Sequence, residues 1–284
     1  MINVISLISH RLSFWRSDAR VVASFILGFG LSVILATRYI SFARVVGSPV
    51  QIVEMFVLAG SADYVMPGIL LGALLLVSNA PFVYESTPYE ILRTGNKKWI
   101  CASTAYLIVC CTMYYLAIAL AFAVMAVAGG SVSIDDQWST AINMLAEGNA
   151  QFEISNFKLS FSFPDYIHSL TPYGAFLRTF FFNGLYALIL AMCIFSVNLF
   201  ASVNCGWIPA FAIHISGTVI LKNNWLRVNL GKLSLLECAM PAYHFEKGMS
   251  PLHALILLTV PTTLLIILCI RFSHLLNPCP KSQL

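Results

Sequence analysis

The chain has 284 residues, of which 59% are hydrophobic and 10% charged, with a formal net charge of +4. A globular domain in water carries roughly 25% charged residues, so the composition excludes an ordinary soluble fold. It predicts an all-α integral membrane protein, because lipid leaves backbone polar groups no outlet except pairing inside a helix.

Residues 1–16, "MINVISLISHRLSFWR", place Ile5, Ile8, Leu12 and Trp15 on one helical face and Ser6, Ser9, His10, Ser13 and Arg16 on the other. This is the pattern of an interfacial helix, with Trp15 and Arg16 at headgroup depth. The first charge-free run, Val21–Thr37, is longer than the core of a signal peptide, and "LATRYIS" is a poor cleavage site, so it is read as an anchor. A loop of mixed charge over 38–63 follows. The second run, Tyr64–Tyr84, contains Gly68 and Gly72, a spacing that lets another helix approach closely.

Between the second and third runs lies "YESTPYEILRTGNKKW". Thr87 and Glu90 stand at capping-box spacing, Pro88 suits the first helical position, and Gly95 supplies a left-handed stop. Two turns of helix, Pro88 to Thr94, are too short to persist alone in water. The third run, Trp99–Ile134, is long: as one helix to Gly129 it measures about 46 Å, against a hydrocarbon core of about 30 Å. Its first turns are expected to project into the cytoplasm as a rigid continuation of the Gly95 turn.

Residues 130–173 form the largest polar segment, with Asp135, Asp136, Glu147, Glu153 and Asp165. Within it, "NFKLSFSF" alternates as a strand does, with Phe157, Leu159, Phe161 and Phe163 on one face. Such a strand aggregates unless covered, so it is expected to fold back on the helices or on a neighbouring subunit. The fourth run, Thr179–Leu221, has 43 residues. Since about 20 suffice to span, it divides into two helices at "SVNCGWIP", where Gly206 and Pro209 interrupt the pattern. Residues 222–251 mix apolar and charged side chains, as short interfacial or re-entrant helices do. The fifth run, Ala254–Ile270, is the sixth span and contains Pro261, a kink position.

The expectation is a single transmembrane domain, 1–284, with six transmembrane helices. With the N-terminus inside, the inner segments 1–20, 85–98, 199–205 and 271–284 hold Arg11, Arg16, Arg20, Arg93, Lys97, Lys98, Arg271 and Lys281. That is half of the basic residues in the smaller share of the loops, which predicts both termini in the cytoplasm and 130–173 and 222–251 outside. Of the eight cysteines, six lie in or beside spans. Cys238 falls outside and Cys279 in the tail, so neither a disulfide framework nor a Cys-x-x-Cys metal site is expected.

No Gly-x-Ser-x-Gly elbow, His-Glu-x-x-His pair or phosphate-binding loop occurs, so the chain is not expected to be an enzyme or to hydrolyse ATP itself. The spans carry no Asp, Glu, Lys or Arg in their central parts, and His214 in "FAIHISG" is the one candidate for a proton relay or substrate contact. With no acid in the neighbouring spans, it reads as a neutral histidine bonded to a hydroxyl or carbonyl.

A Pro-Tyr-Glu-x-x-Arg helix, a small turn and Lys-x-Trp opening a long third helix resemble the permease subunits of type-two ATP-binding-cassette exporters, closest to small bacterial peptide and antibiotic exporters. The layout of an interfacial helix, six spans and hydrophobic elements before the last span, here "SLLECAMPAY", agrees with that resemblance. What it implies is a second permease, identical or homologous, and a cytoplasmic ATPase subunit that binds ATP and Mg. No nucleic acid partner and no cofactor in this chain are implied. Thr87, Pro88, Tyr89, Glu90, Ile91, Leu92 and Arg93 would then be the contact or capping residues of a coupling helix. The location would be the bacterial cytoplasmic membrane, with lipid around the chain. The long 130–173 segment departs from the family's usual layout.

A charge-free export path for an amphipathic or lipidic substrate would be lined by aromatic and small polar side chains. Phe180, Phe181, Phe182, Asn183 and Asn198 on the fourth span, with His214 and Ser216 on the fifth, are the candidates. The competing functions are a stand-alone secondary carrier or channel, and a non-transporting immunity or scaffold protein.

Overall fold

The computed structural model describes residues 4–16, 18–81, 87–148, 157–201, 205–246 and 249–275. Glu153, Cys279, Lys281 and the first residues of the 85–98 loop lie outside them. Among the described residues, four helices are long and apolar enough to cross a membrane: α2 (Ala19–Val46), α6 (Asn96–Ala128), α9 (Pro172–Ala201) and α14 (Pro251–Arg271). The chain is therefore a predominantly helical protein of multi-pass membrane character.

The first two apolar runs are organised differently from the sequence expectation. Helix α2 passes Thr37 and ends on Gly47, whose φ of 71° is left-handed. Arg38 and Arg44, read as loop charges, ride on this helix, and its Tyr39, Phe42 and Ala43 are buried at helical spacing. Arg44 Nη2 donates to the Gly129 carbonyl at 2.8 Å, so a charge that looked solvated closes the end of α6. The rest of the expected loop contains α3 (Glu54–Ser61), which meets α4 (Met66–Val77) at a bend of 88°. Extended backbone at Ala62 stops the first helix, and Pro67 opens the second.

The second run thus yields only 12 residues of helix, and becomes long enough to cross only if α3 is counted with it. Helix α10 (Trp207–Lys222) has 16 residues, short of the roughly 20 that a span takes. Length and composition alone support four spans, or five with the bent pair. The break before α10 falls where Gly206 and Pro209 place it. Asn198 holds that corner, accepting from Gly206 N and donating to the Ala80 carbonyl, both at 2.6 Å.

The Gly68/Gly72 spacing serves packing inside the chain. Leu31 of α2 lies against Gly68, while Tyr114 of α6 and the Ser24 carbonyl of α2 lie against Gly72. Any side chain at Gly72 would displace that tyrosine, whose hydroxyl bonds the Ile69 carbonyl at 2.8 Å.

At the end of the bundle where α2 finishes, β1 (Val50–Gln51) and β2 (Val132–Ser133) form a short parallel pair. Around it sit α7 (Thr140–Glu147), α8 (Pro164–Ser169), α11 (Asn224–Leu230), α12 (Leu235–Ala239) and α13 (Ala242–Glu246). Short helices over 222–251 are what the sequence led one to expect. The strand expected over Phe157–Phe163 does not form, because Lys158 turns the backbone to φ 51° and Pro164 begins a helix. Its alternation survives as burial: Leu159 and Phe161 are inside, Lys158, Ser160 and Ser162 outside. The segment does fold back, with the Phe157 ring on Phe42 and the Phe163 ring on Tyr243. The seven described cysteines are free.

Candidate coupling site

At the opposite end, α1 (Val4–Ser13) and α5 (Thr87–Thr94) pack on the first turns of α6. Helix α5 forms where expected, beginning at Thr87, one residue before Pro88, and ending at Thr94. Gly95 follows with φ 79°, and its N–H donates to the Ile91 carbonyl at 2.7 Å. Trp99 N then donates back to the Gly95 carbonyl at 3.1 Å, so α6 starts without slack. Asn96 ties the same turn to the far end of the chain by donating to the Ser273 carbonyl at 2.7 Å.

The two faces of α5 differ sharply. Thr87 and Glu90 are buried, and Pro88 and Ile91 half-buried, whereas Tyr89 and Leu92 are each 70% exposed, with Arg93 beside them. The Glu90 carboxylate also reaches α1: Arg11 Nη2 is 3.6 Å from Oε2 and His10 Nδ1 is 3.9 Å from Oε1.

Arg11 is the centre of this junction. Although 1% exposed, it donates to Ser103 Oγ at 2.9 Å and lies over the Trp99 and Tyr106 rings at 5.5 and 5.8 Å. Trp15 Nε1 donates to the Tyr106 hydroxyl at 2.7 Å. Sequence reading counted Arg11 only as an orientation charge. The signal was there in the helical stripe Leu7–Arg11–Trp15, which places an arginine among apolar neighbours at four-residue spacing. The buried face of α1 accordingly centres on Leu7 and Arg11, and Ile5, assigned to the apolar face, is 72% exposed. A guanidinium held over two rings and a carboxylate joins α1, α5 and α6 into one elbow.

The pathway candidates are spread over three environments. Phe180 joins an aromatic group with Phe56 and Phe176, Phe181 is 51% exposed, and Phe182 packs edge-on against His244 at 4.9 Å. Asn183 is buried beside Gly60 of α3, where its Nδ2 leaves no room for a side chain. Asn198 braces the α9–α10 corner, and Ser216 is exposed with its hydroxyl on the Ile213 carbonyl. His214 Nε2 meets the Pro67 carbonyl at 3.2 Å, the carbonyl bond anticipated for it.

Sequence reading passed over Glu54. It is fully buried, and its Oε1 accepts from the Tyr39 hydroxyl at 2.8 Å and from Gln51 N at 2.9 Å. The Tyr39 hydroxyl also bonds Ser139 Oγ at 3.1 Å, so the carboxylate fastens α2, β1 and the start of α7 together. The flanking apolar residues of "IVEMFV" were the available signal.

In the cap formed by the short helices around the β1–β2 pair, burial among apolar neighbours, reinforced by nearby Arg178, lowers the His244 imidazole to about 4. An unfolded histidine titrates near 6.5. Between about pH 6.5 and 4 the unfolded chain therefore binds a proton that the folded cap refuses, and the cap loses stability as pH falls through that window. Hydrogen exchange over residues 235–246 is expected to accelerate there, and His244→Phe to remove most of the acceleration. Burial also raises the Cys238 thiol to about 12. Among the described residues, no group of three or more His, Cys, Asp or Glu is placed to hold a metal ion.

Compared with protein-family models, with curated proteins and with solved structures, the chain matches none.

Proposed function

We propose that this chain is the membrane-spanning subunit of an ATP-driven exporter of an amphipathic or lipidic substrate, peptide- or antibiotic-like, served by a separate cytoplasmic ATPase. The observation that carries this reading is the exposure of Tyr89 and Leu92 on a helix whose opposite face is fixed to the bundle. A two-turn amphipathic helix with a free apolar face suits a groove on another protein. The Gly95 turn and the Arg11 junction make α5 continuous with the 33-residue α6, so a push on α5 is delivered along the bundle and reopens it outward.

In this reading α2, the α3–α4 pair, α6, α9, α10 and α14 are six spans in the bacterial cytoplasmic membrane. Both termini lie inside, the cap lies outside, and a second permease completes the assembly. The partner binds ATP and Mg. Purification of the full chain from its native membranes is expected to bring down a Walker-motif ATPase in comparable amount, with hydrolysis stimulated by amphipathic substrate. A preparation that transports without any ATPase would overturn the assignment.

A stand-alone proton-coupled carrier is the second reading, and Glu54 is what favours it. A buried carboxylate at the start of the bent α3–α4 pair is the kind of ionisable group such carriers use. Substrate flux driven by a pH gradient in vesicles holding only this chain would select it.

The orientation has its own test. Ser139 is a poor labelling site because it is buried under Tyr39, whereas Gln137 and Arg93 are exposed. In a background lacking the exposed Cys101, a cysteine at 137 is expected to react with an impermeant maleimide on intact cells and one at 93 to be protected. The opposite pattern would place α5 outside and remove the coupling assignment.

A further inference from the structure

Arg38 lies on α2 before Arg44, about 9 Å back along the helix. It is half-buried, and its guanidinium rests against the Tyr64 hydroxyl at the α3–α4 bend. That hydroxyl donates to the Lys158 carbonyl at 3.1 Å. The Phe157 ring, packed on Phe42 one turn beyond Arg38, brings the same backbone onto α2. Lys158 is therefore a second cation beside Tyr64, and its side chain is exposed. Lys222, also exposed, borders the same recess as Tyr64.

Three cations thus gather around Tyr64, and among the described residues none of them is in an ion pair. Asp63, next to Tyr64 in the chain, accepts instead from the Tyr243 hydroxyl. Like charges collected without a counter-ion repel, and an anion placed between them removes that cost. An ionisable group on a span, as Arg38 is, marks a site of use rather than of packing.

Depth narrows the anion. On the turn of α2 before Arg38, Ile34 is 49% exposed, as a lipid-facing side chain is. Lys222 is followed directly by α11, on which Trp225 and Val228 are exposed. Tryptophan and an aliphatic side chain beside lysine are the mark of a membrane interface. The three cations therefore lie at headgroup level with hydrocarbon beneath them. A guanidinium matches phosphate through parallel N–H···O bonds, and a phosphate at this depth belongs to lipid.

We propose that Arg38 and Lys158 hold the phosphate of an anionic membrane lipid beside Tyr64. Lys222 completes the positive rim, and the acyl chains run down α2 along Ile34. The bound lipid ties α2 and the 157–163 segment to the α3–α4 bend. Binding of this kind requires no ATPase, so it stands or falls separately from the export reading.

The test titrates the full chain in neutral maltoside detergent with three probes. They are phosphatidylglycerol, phosphatidylcholine of the same acyl chains, whose phosphate carries its own cation, and glycerol phosphate. Native mass spectrometry counts bound molecules, and hydrogen exchange over residues 157–163 reports where they sit. Phosphatidylglycerol is expected to bind about 25-fold more tightly than phosphatidylcholine, about fivefold for each cation beside Tyr64. It should also slow that exchange, and glycerol phosphate at the same concentration should not displace it. Lys158→Gln, a change at an exposed side chain, should cut the preference about fivefold. Arg38→Gln should cut it at least as much, and Lys98→Gln, exposed at the opposite end of the bundle, not at all. Equal affinity for the two lipids, or a preference untouched by Lys158→Gln and Arg38→Gln, would overturn the proposal. So would a preference cut as deeply by Lys98→Gln, unchanged exchange over 157–163, or displacement by glycerol phosphate.

Discussion

Leu92→Asp is expected to abolish capture of the ATPase while leaving the chain folded and inserted. Leu92 is 70% exposed and lies outside every long apolar helix. The substitution therefore removes almost no contact within the chain, and exposed changes of that kind stay within about 0.5 kcal/mol. In a partner's apolar groove, the same carboxylate is a buried charge without a counter-ion, at a cost of a few kcal/mol. Each 1.4 kcal/mol is about tenfold in affinity, so co-purification should fall by roughly two orders of magnitude, and substrate-stimulated hydrolysis with it. Tyr89→Asp should behave alike, being equally exposed. Thr87→Ala should act in the same direction but weakly, by about 1 kcal/mol, because only a cap is lost. Normal association and transport in Leu92→Asp would mean that α5 merely rests on the membrane surface.

Helix α5 was legible in the sequence because its signals are local. Pro88 sets the start, Gly95 the left-handed stop, and the free apolar face follows from a period of 3.6. The α9–α10 break was legible for the same reason. What escaped were charges satisfied by distant partners. Arg44 reads as loop until Gly129, 85 residues on, supplies a carbonyl. Glu54 reads as a loop acid until Tyr39 and Gln51 close around it. Arg11 reads as a topology marker until Ser103 and two aromatic rings enclose it. A single sequence shows that a charge is present but not that its partner lies across the bundle, and burying a charge is tolerable only with that partner. The same limit governs the second apolar run. Its composition allows a full span, but it forms only the 12-residue α4, which extended backbone at Ala62 sets at 88° to the preceding α3.

The junction between α1 and α5 predicts a second large effect. Arg11 and Glu90 are 1% and 8% exposed, and removing one partner of a buried ion pair typically costs about 3–5 kcal/mol because the other is left uncompensated. Arg11→Leu should sit near the lower end, since His10 also approaches Glu90 and the edge of the pair reaches solvent. Thermal unfolding in detergent should shift down, and hydrogen exchange over residues 4–16 should rise as α1 leaves the Trp99 and Tyr106 rings. Glu90→Gln should be milder because Arg11 keeps Ser103 and both rings. The double variant should be more stable than the sum of the two losses predicts, by a coupling of about 0.5–3 kcal/mol. The functional signature should also differ from that of Leu92→Asp. With its apolar face intact, an Arg11→Leu chain should still bind the ATPase and permit hydrolysis, but transport per ATP should fall because α5 is no longer fixed to α6. Additive losses in the cycle, or unchanged transport per ATP, would show that Glu90 does not link the two helices and that the elbow is held by Gly95 and the aromatic rings alone.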